Sequence, residues 1–167
     1  MSGKPDSNFK SRPLCKTVAV LAVFFHLFHY SIPAYALRDL GQEVISGDAT
    51  FQFSEDGNTL DIHATDHTII QYQDFSVGIN EQVRFHLPTI DAIVLNRIMS
   101  GKVSEIEGSI FGNGNLIFVN EAGFHFADTA VVNADGLIVS THDISNTDFL
   151  NGHYFFAGLD HALQATS

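Results

Sequence analysis

The chain has 167 residues, 45% of them apolar, enough for one domain with a buried core and few for two. Eight Lys and Arg against 19 Asp and Glu give a formal net charge of −11, which repels a phosphate backbone and argues against nucleic acid as a partner. A single cysteine excludes a disulfide framework.

In chain order, the first element is a basic leader made of Lys4, Lys10, Arg12 and Lys16, followed by "TVAVLAVFFHLFHYSI" at residues 17–32, which carries no Asp, Glu, Lys or Arg. Its densest part, residues 18–28, is short of the roughly 20 apolar residues that a membrane-spanning helix needs. It fits the apolar region of a secretory signal, and "AYA" supplies the small residues Ala34 and Ala36 at the cleavage positions. Residues 1–36 therefore read as a signal peptide cut between Ala36 and Leu37. The alternative, an uncleaved anchor, is weakened by His26 and His29. Cleavage removes Cys15 and half of the basic residues. The mature chain, 37–167, keeps four basic residues against 18 acidic ones, a formal charge of −14, and no cysteine. It must be stable without covalent staples.

Beyond residue 36 no sustained helical period appears. Short runs rich in β-branched and aromatic residues recur instead: "TFQF", "TLDIH", "TIIQY", "VRFHL", "AIVLN", "NLIFVN", "FHF", "AVVN" and "GLIVS". Between them stand "EDGN", "DFSVGINEQ", "GNGN", "NEAG" and "NADG", whose Gly and Asn accept positive φ and make credible corners. The chain reads as all-β.

The "NEAG" corner, Asn120, Glu121, Ala122 and Gly123, tests the architecture. A hairpin there would return "FHF" antiparallel to "LIFV". A corner would carry the chain around a larger coil. "NLIFVN" is echoed 21 positions later by "GLIVST", with two short strands between, and "AIVLN" at 92–96 resembles "LIFVN". Three strands in about twenty residues are what a solenoid coil requires. The expected fold is a parallel β-helix, with the strands around Leu116 and Leu137 stacked in parallel and their aliphatic side chains inward. The same strand spacing also suits an antiparallel β-sandwich, the alternative.

The ordered series "QDFSVG", "VLNR", "GNGNLIFVN" with a Gly three residues on, and "GLIVSTHDISNTDF" resembles the N-terminal secretion domain of filamentous-haemagglutinin-type exoproteins, the passengers of two-partner secretion. The similarity runs from about residue 40 to 156. It implies a right-handed parallel β-helix in a non-enzymatic, adhesin-type exoprotein, exported through the periplasm and released or held at the cell surface. It implies recognition by a partner outer-membrane transporter, with a host-cell or matrix receptor as a further class of partner. In that family Asn-Pro-Asn turns mark the secretion domain. One is expected at residues 120–123, where the outer Asn120 and Gly123 match and Glu121 and Ala122 replace Pro and Asn. A second is expected just after Asn96 and Arg97, where "MSGKVSEI" has no Asn-Pro pair. Family members usually continue for many more coils, so this chain reads as truncated at its C-terminal end. An uncapped coil there would leave an open strand edge and invite edge-to-edge self-association.

Other constellations also admit structural readings. Asn96 and Asn120 both close apolar runs and can serve as corner residues whose amides cap local backbone groups. His63 and His67 are four apart, but metal-ligand pairs at that spacing rely on a helix, and this stretch is strand. His125 alternates with Phe124 and Phe126, so it should face solvent if those phenylalanines lie in the core. The pairs Asp61 with Asp66 and Asp143 with Asp148 raise a second function, a carbohydrate-active β-helix enzyme of the lyase or hydrolase kind. No basic residue clusters with them in sequence. The expectation is no catalytic residue, no cofactor and no metal.

Overall fold

The computed structural model describes Leu37 and residues 40–157; the signal segment, with Ala34 and Ala36, lies outside the described residues. Twelve strands carry the chain: β1 Glu43–Ser46, β2 Ala49–Phe53, β3 Thr59–Ala64, β4 Thr68–Tyr72, β5 Gln82–His86, β6 Ile93–Ile98, β7 Ser104–Ile106, β8 Ser109–Gly112, β9 Asn115–Asn120, β10 Phe124–Phe126, β11 Val131–Asn133 and β12 Gly136–Ser140. One short helix follows, α1 Asn146–Leu150.

The strands form a right-handed parallel β-helix of about four turns. The first wall stacks β1-β4-β6-β9-β12, the second β11-β8-β5-β3-β2, and a narrow third pairs β10 with β7. From β3 onward every ladder among the named strands is parallel. The antiparallel sandwich is not adopted. Antiparallel pairing occurs at the N-terminal end, where β1 lies against β4 and β2 against β3. Reversing those two strands closes that end of the coil. The turn between them needs Gly47, at φ +77°, because a Cβ there would sit 2.5 Å from Thr68 Oγ1.

β9 bonds to β6 and β12, and β10 bonds to β7, so the "NEAG" stretch is a corner. Leu137 opposes Leu116, the 21-residue step read from the sequence. One coil earlier the step is 22: Leu116 opposes Val94, and Asn120 opposes Ile98. The echo of "AIVLN" in "LIFVN" therefore aligns two residues out of true register. A slide of two preserves the face on which each side chain stands, which is why the two runs look alike.

Alternation sets the interior. Leu60 and Ile62, Val83 and Phe85, Val94 and Ile98, and Leu116 and Phe118 point into one core. Phe118 sits at its centre, in contact with Phe75, Phe85 and Phe124 at ring separations of 5.2, 5.9 and 6.3 Å. At β12 Leu137 and Val139 keep the inward face of their partners Leu116 and Phe118, but the strand is not fully buried. Leu137, Ile138 and Val139 are 45%, 40% and 39% exposed. β12 is the last strand of its wall, so no further coil among the described residues covers its free edge.

A second apolar cluster lies outside the coil. Ile69, Leu95, Ile117 and Val119 face outward from the first wall and are covered by Ile144 and Phe149, with Phe156 packed against them. The wall is thus buried on both faces, which explains why "IVL" and "LIFV" read as continuous apolar runs rather than alternating ones.

Candidate functional site

The site is built from two stacked corners, one after β6 and one after β9. Asn120 ends β9 and is 1% exposed. Its side-chain Oδ1 accepts from the backbone N–H of Ala122 at 2.9 Å, and its backbone oxygen accepts from Gly123 N–H at 2.9 Å. Asn at the first position of a β-turn and Gly at the last is a common pattern, because the Asn side chain mimics one turn of backbone. Gly123 has φ +95°, and a Cβ there would meet nothing nearer than 4.0 Å, so the backbone conformation, not crowding, calls for glycine.

Asn120 also ties the two corners together. Its Nδ2 donates to the carbonyl of Lys102 at 2.8 Å and to Ser104 Oγ at 2.9 Å, and the carbonyl of Gly123 accepts from Ser104 N–H. The lower corner, "MSGK", has no Asn-Pro pair of its own. The upper Asn satisfies its carbonyl instead. A cavity of about 140 Å³ opens beside the stacked corners, lined by Arg97, Met99 and Gly101 below, Val119 and Glu121 above, and Asp143 at the side.

The other proposed turn residues divide. Asn96 is not a corner residue. It lies within β6, fully buried, where its Oδ1 accepts from the Tyr72 hydroxyl at 3.1 Å and its Nδ2 donates to the carbonyl of Ile117 at 3.2 Å. It stitches three successive strands of the first wall, and burial pushes the Tyr72 phenol up from its ordinary value. The physical reason for the correction is register: the strand continues two residues past Asn96 before it turns. Arg97 points outward and holds the C-terminal segment. Nε donates to Asp143 Oδ1 at 2.9 Å, Nη1 to Asn146 Oδ1 at 3.0 Å, and Nη2 to the carbonyl of Ile144 at 2.7 Å.

The acidic residues considered for catalysis each have a structural partner. Asp143 takes Arg97. Asp148 accepts from the Ser145 hydroxyl at 2.6 Å while its backbone N–H donates back to Ser145 Oγ, the reciprocal cap of α1. Asp61 Oδ1 lies 2.6 Å from His86 Nε2. Asp66 accepts from Ile93 N–H at 2.9 Å and sits 2.9 Å from His67. Its carboxyl is slightly desolvated, which raises its pKa, but the Ile93 and His67 contacts outweigh that and hold it below the ordinary value. His125 does face solvent, beside Glu105 one coil earlier. His63 stands not with His67 but in parallel stack with His86, ring centroids 4.4 Å apart. Among the described residues no three His, Cys, Asp or Glu side chains gather in a way that could hold a metal ion.

Sequence reasoning missed two features. The Arg97 latch joins residues 46 to 49 positions apart. Leu37, read as the first mature residue, is wholly buried, and its backbone nitrogen lies 3.4 Å from Glu81 Oε1. Neither leaves a local signal.

Residues 41–166 match the TPS secretion domain family. The chain is similar to a heme/hemopexin-binding protein of Haemophilus influenzae strain Rd, 32% identical over 132 residues that are 75% of this chain and 14% of that protein. A second heme/hemopexin-binding protein of Haemophilus influenzae is 28% identical over 92 residues, 55% of this chain and 10% of the relative. The chain thus spans a small part of the length of these relatives. Among solved structures it resembles the HMW1 secretion domain from Haemophilus influenzae, with a TM-score of 0.65 and 31% identity over 68% of this chain and 30% of that one.

Proposed function

The chain belongs to the TPS secretion domain family, the module of two-partner secretion, and on that premise we propose that its stacked corners at residues 99–103 and 120–123 are the surface its partner outer-membrane transporter reads. The observation that carries this is the position of Asn120. It is buried, yet every polar atom of its side chain is spent on the two corners, so the outward shape of Glu121, Ala122 and the "MSGK" backbone is fixed by one residue. A rigid, solvent-facing turn with a small cavity beside it suits recognition, and a preformed shape lowers the ordering cost of binding.

In this reading the precursor carries a signal peptide at 1–36, cut between Ala36 and Leu37. The mature chain crosses the periplasm and is released or held at the cell surface as the leading part of a non-enzymatic, adhesin-type exoprotein. A receptor on a host cell or matrix would belong to whatever the module carries. The relatives are named for binding heme and hemopexin, but this chain matches 14% and 10% of their lengths, so that ligand is not carried over. The structural commitments of Asp61, Asp66, Asp143 and Asp148 favour the non-enzymatic reading over a polysaccharide lyase or hydrolase. The edge of β12, which no strand among the described residues pairs, supports edge-to-edge pairing with another chain.

The test is export with a partner transporter supplied. Glu121→Pro with Ala122→Asn restores the family's turn, and Pro suits the second position of this β-turn. Export should rise. Asn120→Ala should lower export sharply, and Gly123→Val, which strains the backbone by about 1–3 kcal/mol, should lower it too. If Asn120→Ala and Gly123→Val both export like the parent, the corners are not the recognition surface. Turnover of acidic polysaccharides by the purified protein would overturn the non-enzymatic reading.

A further inference from the structure

Glu81 lies in the loop between β4 and β5, is 6% exposed, and is the one carboxylate among the described residues that the fold buries. Its Oε2 accepts from the backbone N–H of Gly78 at 2.7 Å. Its Oε1 faces the backbone nitrogen of Leu37 at 3.4 Å. No Lys, Arg or His among the described residues pairs with it. A carboxylate taken out of water is costly unless a positive charge meets it. Meanwhile the Leu37 side chain is fully buried in the main core and packs its backbone against this loop.

We propose that Glu81 is the receptor for the α-ammonium group that signal cleavage creates at Leu37. The inference rests on the reading that cleavage falls between Ala36 and Leu37. Hydrolysis of that peptide bond adds one water: the Ala36 carbonyl keeps the oxygen as a carboxylate, and the Leu37 nitrogen leaves as an amine that takes up protons. Before cleavage that nitrogen is an amide, one neutral donor to a buried anion. After cleavage it is a cation with three donors at the same place. A neutral donor leaves the carboxylate's charge uncompensated, whereas a cation at the same place pairs it, and a buried charge without its partner is strongly destabilising, so the fold is stabilised by processing. In the precursor no Lys, Arg or His among the described residues supplies that counter-charge, and the precursor is the weaker folder.

The experiment compares melting of three forms of the mature chain: one beginning at Leu37 with a free amine, the same chain Nα-acetylated, and one extended by Ala36. The free-amine form should melt a few degrees above both others. The gap should close in Glu81→Gln and should survive 1 M NaCl, where the screening length is about 3 Å. Survival in salt separates a buried pair from general attraction between any cation and an acidic protein, and it decides the matter even if Glu81→Gln fails to fold. Equal melting of free and acetylated chains, a gap that persists undiminished in Glu81→Gln, or a gap that salt erases would overturn the proposal. N-terminal sequencing of the exported protein tests the cleavage position by itself, so a wrong cut site and a wrong receptor give different results.

Discussion

The two long walls of the coil have opposite exteriors. The first wall shows the outside Ile69, Leu95, Ile117 and Val119, and the segment after β12 folds back over them with Ile144 and Phe149. The second wall shows Asp61, His63, Arg84 and His86 in stacked rows, with nothing laid over them among the described residues. Their strands differ accordingly: β9 is buried at five of six positions, while β5 alternates buried and open. The same backbone geometry thus supports a wall that is a layer of a sandwich and a wall that is a solvated face. What decides between them is the outward-facing half of each strand. Apolar outward residues require a cover, and the chain supplies one from its own later residues.

The largest break should come at the core both walls share. Phe118→Asp places an unpaired charge among Phe75, Phe85 and Phe124 and should cost more than about 4 kcal/mol, enough to unfold the domain by circular dichroism. Next is the cover of the first wall. Phe149→Ala removes its fully buried ring and should cost about 3–4 kcal/mol, with a rise in binding of a hydrophobic dye as Ile117 and Leu95 become reachable. If melting barely changes, the cover is an ornament and the comparison fails. Arg97→Ala cuts the latch but leaves the apolar contact. About 1–3 kcal/mol is expected from hydrogen bonds to a charged group, seen as faster amide exchange across residues 143–156 before the strands exchange.

The smallest effects should fall on exposed polar groups. His86→Ala on the second wall should move stability by no more than about 0.5 kcal/mol, since its contacts, the His63 ring and Asp61, lie on an exposed face that no other described segment covers. At the rim of the covered wall, Asp66 has a carboxyl held below its ordinary value of 3.8. A depressed acid contributes stability that is fully present above the unfolded value and is lost as pH falls through the folded one. Asp66→Asn should therefore lower stability at neutral pH slightly and flatten the acid limb below about pH 4, measured by melting against pH.

The strand type, the corner at "NEAG" and the 21-residue step from Leu116 to Leu137 were legible in the sequence, because β-branched runs, glycine and Asn at turns, and coil length are properties of neighbouring residues. The resemblance of "QDFSVG" through "HDISNTDF" to secretion domains added the hand of the helix and the class of export. Register was less accessible. Asn96 looked like the end of a strand because "AIVLN" and "LIFVN" match letter for letter better than they stack, and only the ladder to β9 places Asn96 opposite Phe118. In the sequence His63 stands four residues from His67, a spacing that strand geometry keeps from acting as a pair, whereas the coil sets it on His86, 23 residues away in the row alongside. Arg97 finds Asp143, and Leu37 finds Glu81, 44 positions on. Local preference fixes where a chain extends and where it turns. Which side chains then meet across coils depends on how many residues each corner consumes and on what the remaining chain must cover, and those are settled by packing the whole coil at once.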